Sequence, residues 1–186
     1  EEKTHQKMAC GDPKAAPRVA ILDPLLTLTQ PRGVAACTGI DAIAHAVETA
    51  VTKKRNELSW LYSREAFRLM TASFDCIFEQ PDNLDARAAM QLGAAYAGMA
   101  IENSMLGAAH SAANPLTARF EIIHGQAVGM MLPHVLRFNA QQPEVAEFYA
   151  ELARFAGLAT WRERTEQAVI ALIARIESLL QTSQLP

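Results

Sequence analysis

The chain has 186 residues, half of them hydrophobic, 20% charged, and a formal net charge of −3. That is enough apolar material for one sizeable core, and one domain is the default expectation. The basic residues are scattered, which excludes a nucleic-acid stripe or a polybasic membrane patch, and no apolar run approaches the roughly 20 residues that span a bilayer.

Residues 1 to about 30 read differently from the rest. Prolines at positions 13, 17, 24 and 31 punctuate this lead-in, and Arg18-Val-Ala-Ile-Leu-Asp23 is an apolar run of strand length ending in an Asp23-Pro24 turn. Thr27, Thr29 and Gln30 follow as loop. The opening Glu1-Glu-Lys-Thr-His-Gln-Lys-Met8 is charged and amphipathic, with no initiator Met and no signal or transit pattern. Together with the close at Ser178–Pro186, it leads us to expect a fragment of a larger protein. Cys10, Cys37 and Cys76 are odd in number, widely spaced and form no CxxC pair, which points to a reducing cytoplasm.

From Ala35 onward the pattern is helical. A first helix opening at Thr38 or Gly39 is apolar on nearly every face, as expected for a helix in the middle of a bundle. A second runs from Glu57 to Phe78, Pro81-Asp82-Asn83 breaks it, and a third starts near Asp85. The small residues of the third, among them Ala89, Gly93, Ala94 and Ala97, let neighbouring backbones come close. Asn103 to Asn139 mixes Gly, Pro and Asn with apolar residues. His124-Gly125 begins a helix there that Pro133 should kink or end. Met99, Met105, Met130 and Met131 are expected to fill the core, and His134 to play a structural part. Amphipathic helices follow over roughly 143–156 and 161–181. The fold class is all-α, a helical bundle with a short strand-containing lead-in.

Asp41 and His45 stand four residues apart in Gly39-Ile-Asp-Ala-Ile-Ala-His-Ala-Val-Glu48. At i, i+4 the two side chains leave the same helix face about one turn apart, so both can reach one ion. A carboxylate on so apolar a helix is costly unless paired or bound to a metal, and nothing basic lies at i±3 or i±4 except His45. His110, in Gly107-Ala-Ala-His, and His124, in Ile123-His-Gly-Gln126, would complete a one-oxygen, three-nitrogen site for Fe²⁺ or Zn²⁺. The bland alternatives stay open on spacing alone: a hydrogen-bonded interior His110 and a solvent-facing His124 at a helix start. Glu102 and Asn103 either cap a helix or line a cavity.

At these same residues, continuing through His124-Gly-Gln-Ala-Val-Gly-Met-Met-Leu-Pro-His-Val-Leu-Arg-Phe-Asn139, the sequence resembles the iron-containing (group III) alcohol dehydrogenases along nearly its whole length. The resemblance implies an N-terminal α/β domain that binds NAD or NADP and a C-terminal all-helical, dehydroquinate synthase-like domain that holds the metal. Residues 1–30 would then be the remnant of the nucleotide-binding domain and 31–186 the metal-binding catalytic domain. It implies the ligand set Asp41, His45, His110 and His124, with Fe²⁺ or Zn²⁺ as the ion. It also implies Lys7, Leu25 and Thr27 beside the dinucleotide, and His124 and Asn114 as catalytic candidates.

The expected reaction interconverts a small alcohol and an aldehyde or ketone, in a cytoplasmic enzyme that could be a homodimer, with no nucleic-acid or membrane partner. Two departures accompany the resemblance. No glycine-rich phosphate-binding loop is present, so the partner of this segment is the missing nucleotide-binding domain. Asn114 stands where many members carry a histidine four residues after the third ligand, and an amide cannot relay protons near neutral pH. The alternatives from other classes are a metal-dependent lyase of dehydroquinate-synthase-like architecture and a non-catalytic helical module.

Overall fold

A computed structural model describes residues 12–185, apart from the side chain of Pro13. The described residues form no strand. After 3₁₀ turns at Pro13–Ala15 and Pro24–Thr27 come helices α1 (Arg32–Thr49), α2 (Glu57–Ser73), the single turn α3 (Cys76–Glu79) and α4 (Leu84–Asn103). The chain continues through α5 (Ala108–Phe120), α6 (His124–Asn139), α7 (Pro143–Phe155) and α8 (Thr165–Ser183). The all-α bundle expected from the sequence is the fold observed. Among the described residues no helix is long and apolar enough to cross a membrane.

Helix α1 is the axis of the bundle. It packs against α2, α4, α5, α6 and α8. Ile40, Ile43, Ala44, Ala46 and Val47 are buried around its circumference, which explains why most of its surface is apolar. The most extensive pairing is α2 with α4. Gly93 permits it: a Cβ there would overlap Met70 and press on the Ala66 carbonyl, so the small-residue surface of α4 does bring backbones together. A buried hydroxyl pair, Thr49 Oγ1 to Ser63 Oγ at 2.7 Å, links α1 to α2. At the start of α2, the Asn56 side chain accepts from the backbone N–H of Leu58 and Ser59, and the Ser59 hydroxyl accepts from the Asn56 N–H, a reciprocal cap.

Several local expectations are corrected. Arg18–Asp23 is no strand, and Val19 and Ile21 are 76% and 84% exposed. A strand needs a ladder partner, and none exists among the described residues. Helix α1 starts at Arg32, because Pro31, whose ring cannot continue a helix upstream, is well suited to the boundary itself. The helix expected from Glu57 to Phe78 is interrupted after Ser73. Arg175 of α8 donates to the Thr71 carbonyl at 2.5 Å and pairs with Asp75 at 2.7 Å, taking the carbonyl that a continuing helix would have used. Pro133 neither ends nor divides α6. Its missing N–H removes one helix bond, while the burial of Val128, Leu132 and Leu136 anchors both sides of the gap. Met99, Met105 and Met130 are roughly half exposed and do not fill the core. His134 is exposed on α6 and serves no interior role.

Candidate metal centre

Three side chains of α1 form one stripe: Asp41, His45 and Glu48 at i, i+4 and i+7. Helix α5 presents His110 to this stripe from its first turn, and α6 presents His124 from its first residue. The approach of α6 to α1 is set by Gly125, where a Cβ would overlap the backbone carbonyl of Cys37. The glycine next to His124 therefore serves helix packing, and it carries His124 to within reach of Asp41. Gly129, one turn further on, lies against Ile40 and Leu180 in the same way.

The Asp41 carboxylate is the meeting point. Its Oδ1 lies 3.6 Å from His45 Nε2, 3.0 Å from His110 Nε2 and 3.7 Å from His124 Nε2. One ligand atom each of Asp41, His110 and His124 lies within 4.8 Å of the others. His45 joins the group through Asp41 and stacks on the His110 ring, with centroids 4.7 Å apart. The cluster is open on one side: Asp41 and His45 side chains are each 22% exposed and His124 19%, against 5% for His110.

Opposite tendencies act on the charges. Burial pushes the Asp41 carboxyl up, but its hydrogen bond with His110 and the nearby imidazoles of His45, His110 and His124 hold it below the ordinary 3.8. For His110 burial disfavours the imidazolium, yet hydrogen bonds to Asp41 and Glu48, and the charges of both carboxylates, lift it from 6.5 to about 9. Burial, with a smaller contribution from the Asp41 charge, raises the Cys37 thiol against a backbone hydrogen bond at Gln126. Cys37 is thus a neutral packing residue beside the cluster and supplies no thiolate.

Asp41, His110 and His124 have the mutual spacing of ligands to one cation, and His45 is brought alongside through Asp41. Four ligands at 2.0–2.2 Å in a tetrahedron stand about 3.3–3.6 Å apart, and the separations from Asp41 Oδ1 bracket that range. One carboxylate and three imidazoles suit Fe²⁺ or Zn²⁺, and the half-open side leaves room for a further oxygen ligand.

The other sequence candidates lie outside this cluster. Lys7 falls outside the described residues. Leu25 is 56% exposed in the 3₁₀ turn. Thr27 donates its hydroxyl to the Pro24 carbonyl at 2.8 Å, and its own carbonyl accepts from Arg87 at 2.5 Å. That buried arginine ties the lead-in to α4. Asn114 is exposed on α5, one turn beyond His110. The residue that sequence reasoning missed is Glu48. It is 3% exposed, and its Oε2 lies 2.5 Å from His110 Nδ1. The signal was present, since the argument that singled out Asp41, a carboxylate on an apolar helix, applies equally seven residues later.

Residues 35–186 match the family model described as Fe-containing alcohol dehydrogenase family, C-terminal. The 1-propanol dehydrogenase of Citrobacter freundii is 33% identical over 170 residues, covering 91% of this chain and 46% of that protein. The crystal structure of a 1,3-propanediol oxidoreductase superposes with a TM-score of 0.83 at 33% identity, over 88% of this chain and 42% of the other. A sulfoacetaldehyde reductase from Bifidobacterium kashiwanohense, solved in complex with NAD⁺, superposes with a TM-score of 0.79 at 27% identity, over 91% and 43%. The chain thus spans less than half the length of each of these relatives.

Proposed function

The chain belongs to the Fe-containing alcohol dehydrogenase family, and from that premise we propose that it is the metal-holding part of an NAD(P)-linked dehydrogenase for small alcohols and aldehydes. The observation that carries this reading is the convergence of three imidazole nitrogens on Asp41 Oδ1 at 3.0–3.7 Å. Asp41, His45, His110 and His124 would hold the ion, with Fe²⁺ the first choice because the family is iron-containing. When bound, such an ion supplies Lewis-acid polarisation of a substrate oxygen.

The residues of this chain contribute holding, charge and access. Asp41 brings one negative charge, so a divalent ion held by it and three neutral imidazoles keeps net positive charge for an incoming oxygen. His110, buried on the closed side, anchors the cluster, while the exposed edges of Asp41, His45 and His124 leave the approach for substrate. Asn114 stands one helical turn from His110 but offers only amide donors and an acceptor, so it exchanges no proton. The proton released in alcohol oxidation therefore leaves by water or another group. The hydride acceptor would be held by the nucleotide-binding domain that the family resemblance implies, for which this segment has no glycine-rich loop. The named relatives include a dehydrogenase, an oxidoreductase and a reductase, which favours hydride transfer over the lyase alternative.

The test is elemental analysis of anaerobically purified full-length protein together with an NADH-linked screen of short alcohols and aldehydes. About one divalent ion per chain and turnover that a chelator abolishes are expected. Metal-free protein with undiminished activity would overturn the reading.

A further inference from the structure

Glu48 is a buried carboxylate with no part in the donor set above, and a buried charge without a compensating role is costly. The ion pair it makes is with His110, through Nδ1 at 2.5 Å. Its other oxygen accepts the backbone N–H of Ala109 at 2.6 Å. Ala109 is the second residue of α5, a helix whose own cap position, Gly107, offers no side chain. A Cβ at Gly107 would come within 2.9 Å of Glu48 Oε1. Space that a Ser or Asp cap would use is thus taken by a carboxylate reaching across from α1, which satisfies one of the orphan N–H groups of the first turn.

The same carboxylate determines which nitrogen of His110 carries hydrogen. An ionised carboxylate only accepts, so Nδ1 must donate to Glu48. Nε2, 3.0 Å from Asp41 Oδ1, is then the nitrogen left to face the cluster, and an imidazole that keeps its hydrogen on Nδ1 is the tautomer that ligates through Nε2. We propose that Glu48 is a positioning residue for the metal centre: one carboxylate caps α5, locks the His110 ring and keeps hydrogen on Nδ1, so that Nε2 is the nitrogen offered to an ion. The inference rests on the metal-site reading above and adds the residue that makes His110 a ligand. Glutamine in its place has nearly the same shape but one acceptor and one amide donor. It cannot accept from both Ala109 N–H and His110 Nδ1–H, so it surrenders either the cap or the tautomer.

The experiment uses the full-length enzyme and Zn²⁺ alone as probe, so that catalysis is not the readout. Zn²⁺ affinity is measured by chelator competition for the wild type and Glu48→Gln, and histidine ¹⁵N NMR of the Zn²⁺-loaded wild type reports which His110 nitrogen carries hydrogen. Affinity in Glu48→Gln is expected to fall by about 10–100-fold, with hydrogen on Nδ1 in the wild type. Wild-type affinity in a folded Glu48→Gln variant would overturn the proposal. So would hydrogen on Nε2 in the wild type, a result that does not depend on the variant folding. Failure of the wild type to take up Zn²⁺ would sink the metal-site reading itself, and the inference with it.

Discussion

The two ends of the stripe on α1 hold one carboxylate each, and their surroundings differ in an instructive way. Asp41 sits at the half-open end with three imidazoles around it, whereas Glu48 sits at the sealed end with one imidazole and a backbone N–H. Both touch the same ring, Asp41 at His110 Nε2 and Glu48 at Nδ1. A carboxylate with access and several nitrogen neighbours is placed to bind a cation, and one without access is placed to hold a ligand still. On the proposed reading, ligation and support are separated along two turns of a single helix.

The largest expected effect breaks the open end. Asp41→Ala or His45→Ala in the full-length enzyme should reduce bound metal and turnover to background, measured by elemental analysis and the NADH-linked assay. Either variant with normal metal content would show that the stripe is not a ligand set. Next comes the approach that delivers His124. In Gly125→Ala the new methyl must displace the Cys37 carbonyl, and overpacking of this kind costs about 1–3 kcal/mol. For a chain of this size that is about 2–4 °C in Tm per kcal/mol, with weaker metal binding alongside. An unchanged melting curve would mean that the two helices separate without penalty.

A smaller effect follows from pH in chelator-treated protein. The pKa of His110 is raised from 6.5 to about 9, so its stabilisation is complete below 6.5 and disappears as pH rises through about 9. Asp41, held below 3.8, contributes above that value and loses its contribution as pH falls. Melting curves taken from about pH 5 to about pH 10 should therefore show stability declining on the alkaline side, and a flat profile there would contradict the coupling between the stripe and His110. The smallest effect lies outside the bundle. Val19→Ser and Ile21→Ser, at positions largely exposed in this chain, should change its stability by no more than about 0.5 kcal/mol.

The contrast between the bundle and the lead-in also separates what was legible in the sequence from what was not. Helix α1 could be read because its apolar residues cover nearly every face, which only a buried helix tolerates, and Asp41 with His45 stood out against that background. Arg18–Asp23 was misread because a short apolar run has the same composition whether or not a partner strand exists, and pairing is not a local property. That Pro133 does not end α6 has a related reason: its local cost is fixed, but the burial of Leu132 and Leu136 that offsets it is tertiary. Glu48 carried the same signal as Asp41, a carboxylate on an apolar helix, but its partners on α5 are ones the sequence does not display. The methionines show the limit of composition: Met131 packs against the core while its neighbour Met130 is half exposed, and size alone says nothing about which face of α6 turns inward.

The most direct test is anomalous diffraction at the iron edge from crystals of the full-length protein grown anaerobically with Fe²⁺. The account predicts one strong peak bonded to Asp41, His45, His110 and His124, with a coordination position open on the exposed side. A peak elsewhere, or none while these four side chains remain clustered, would contradict it.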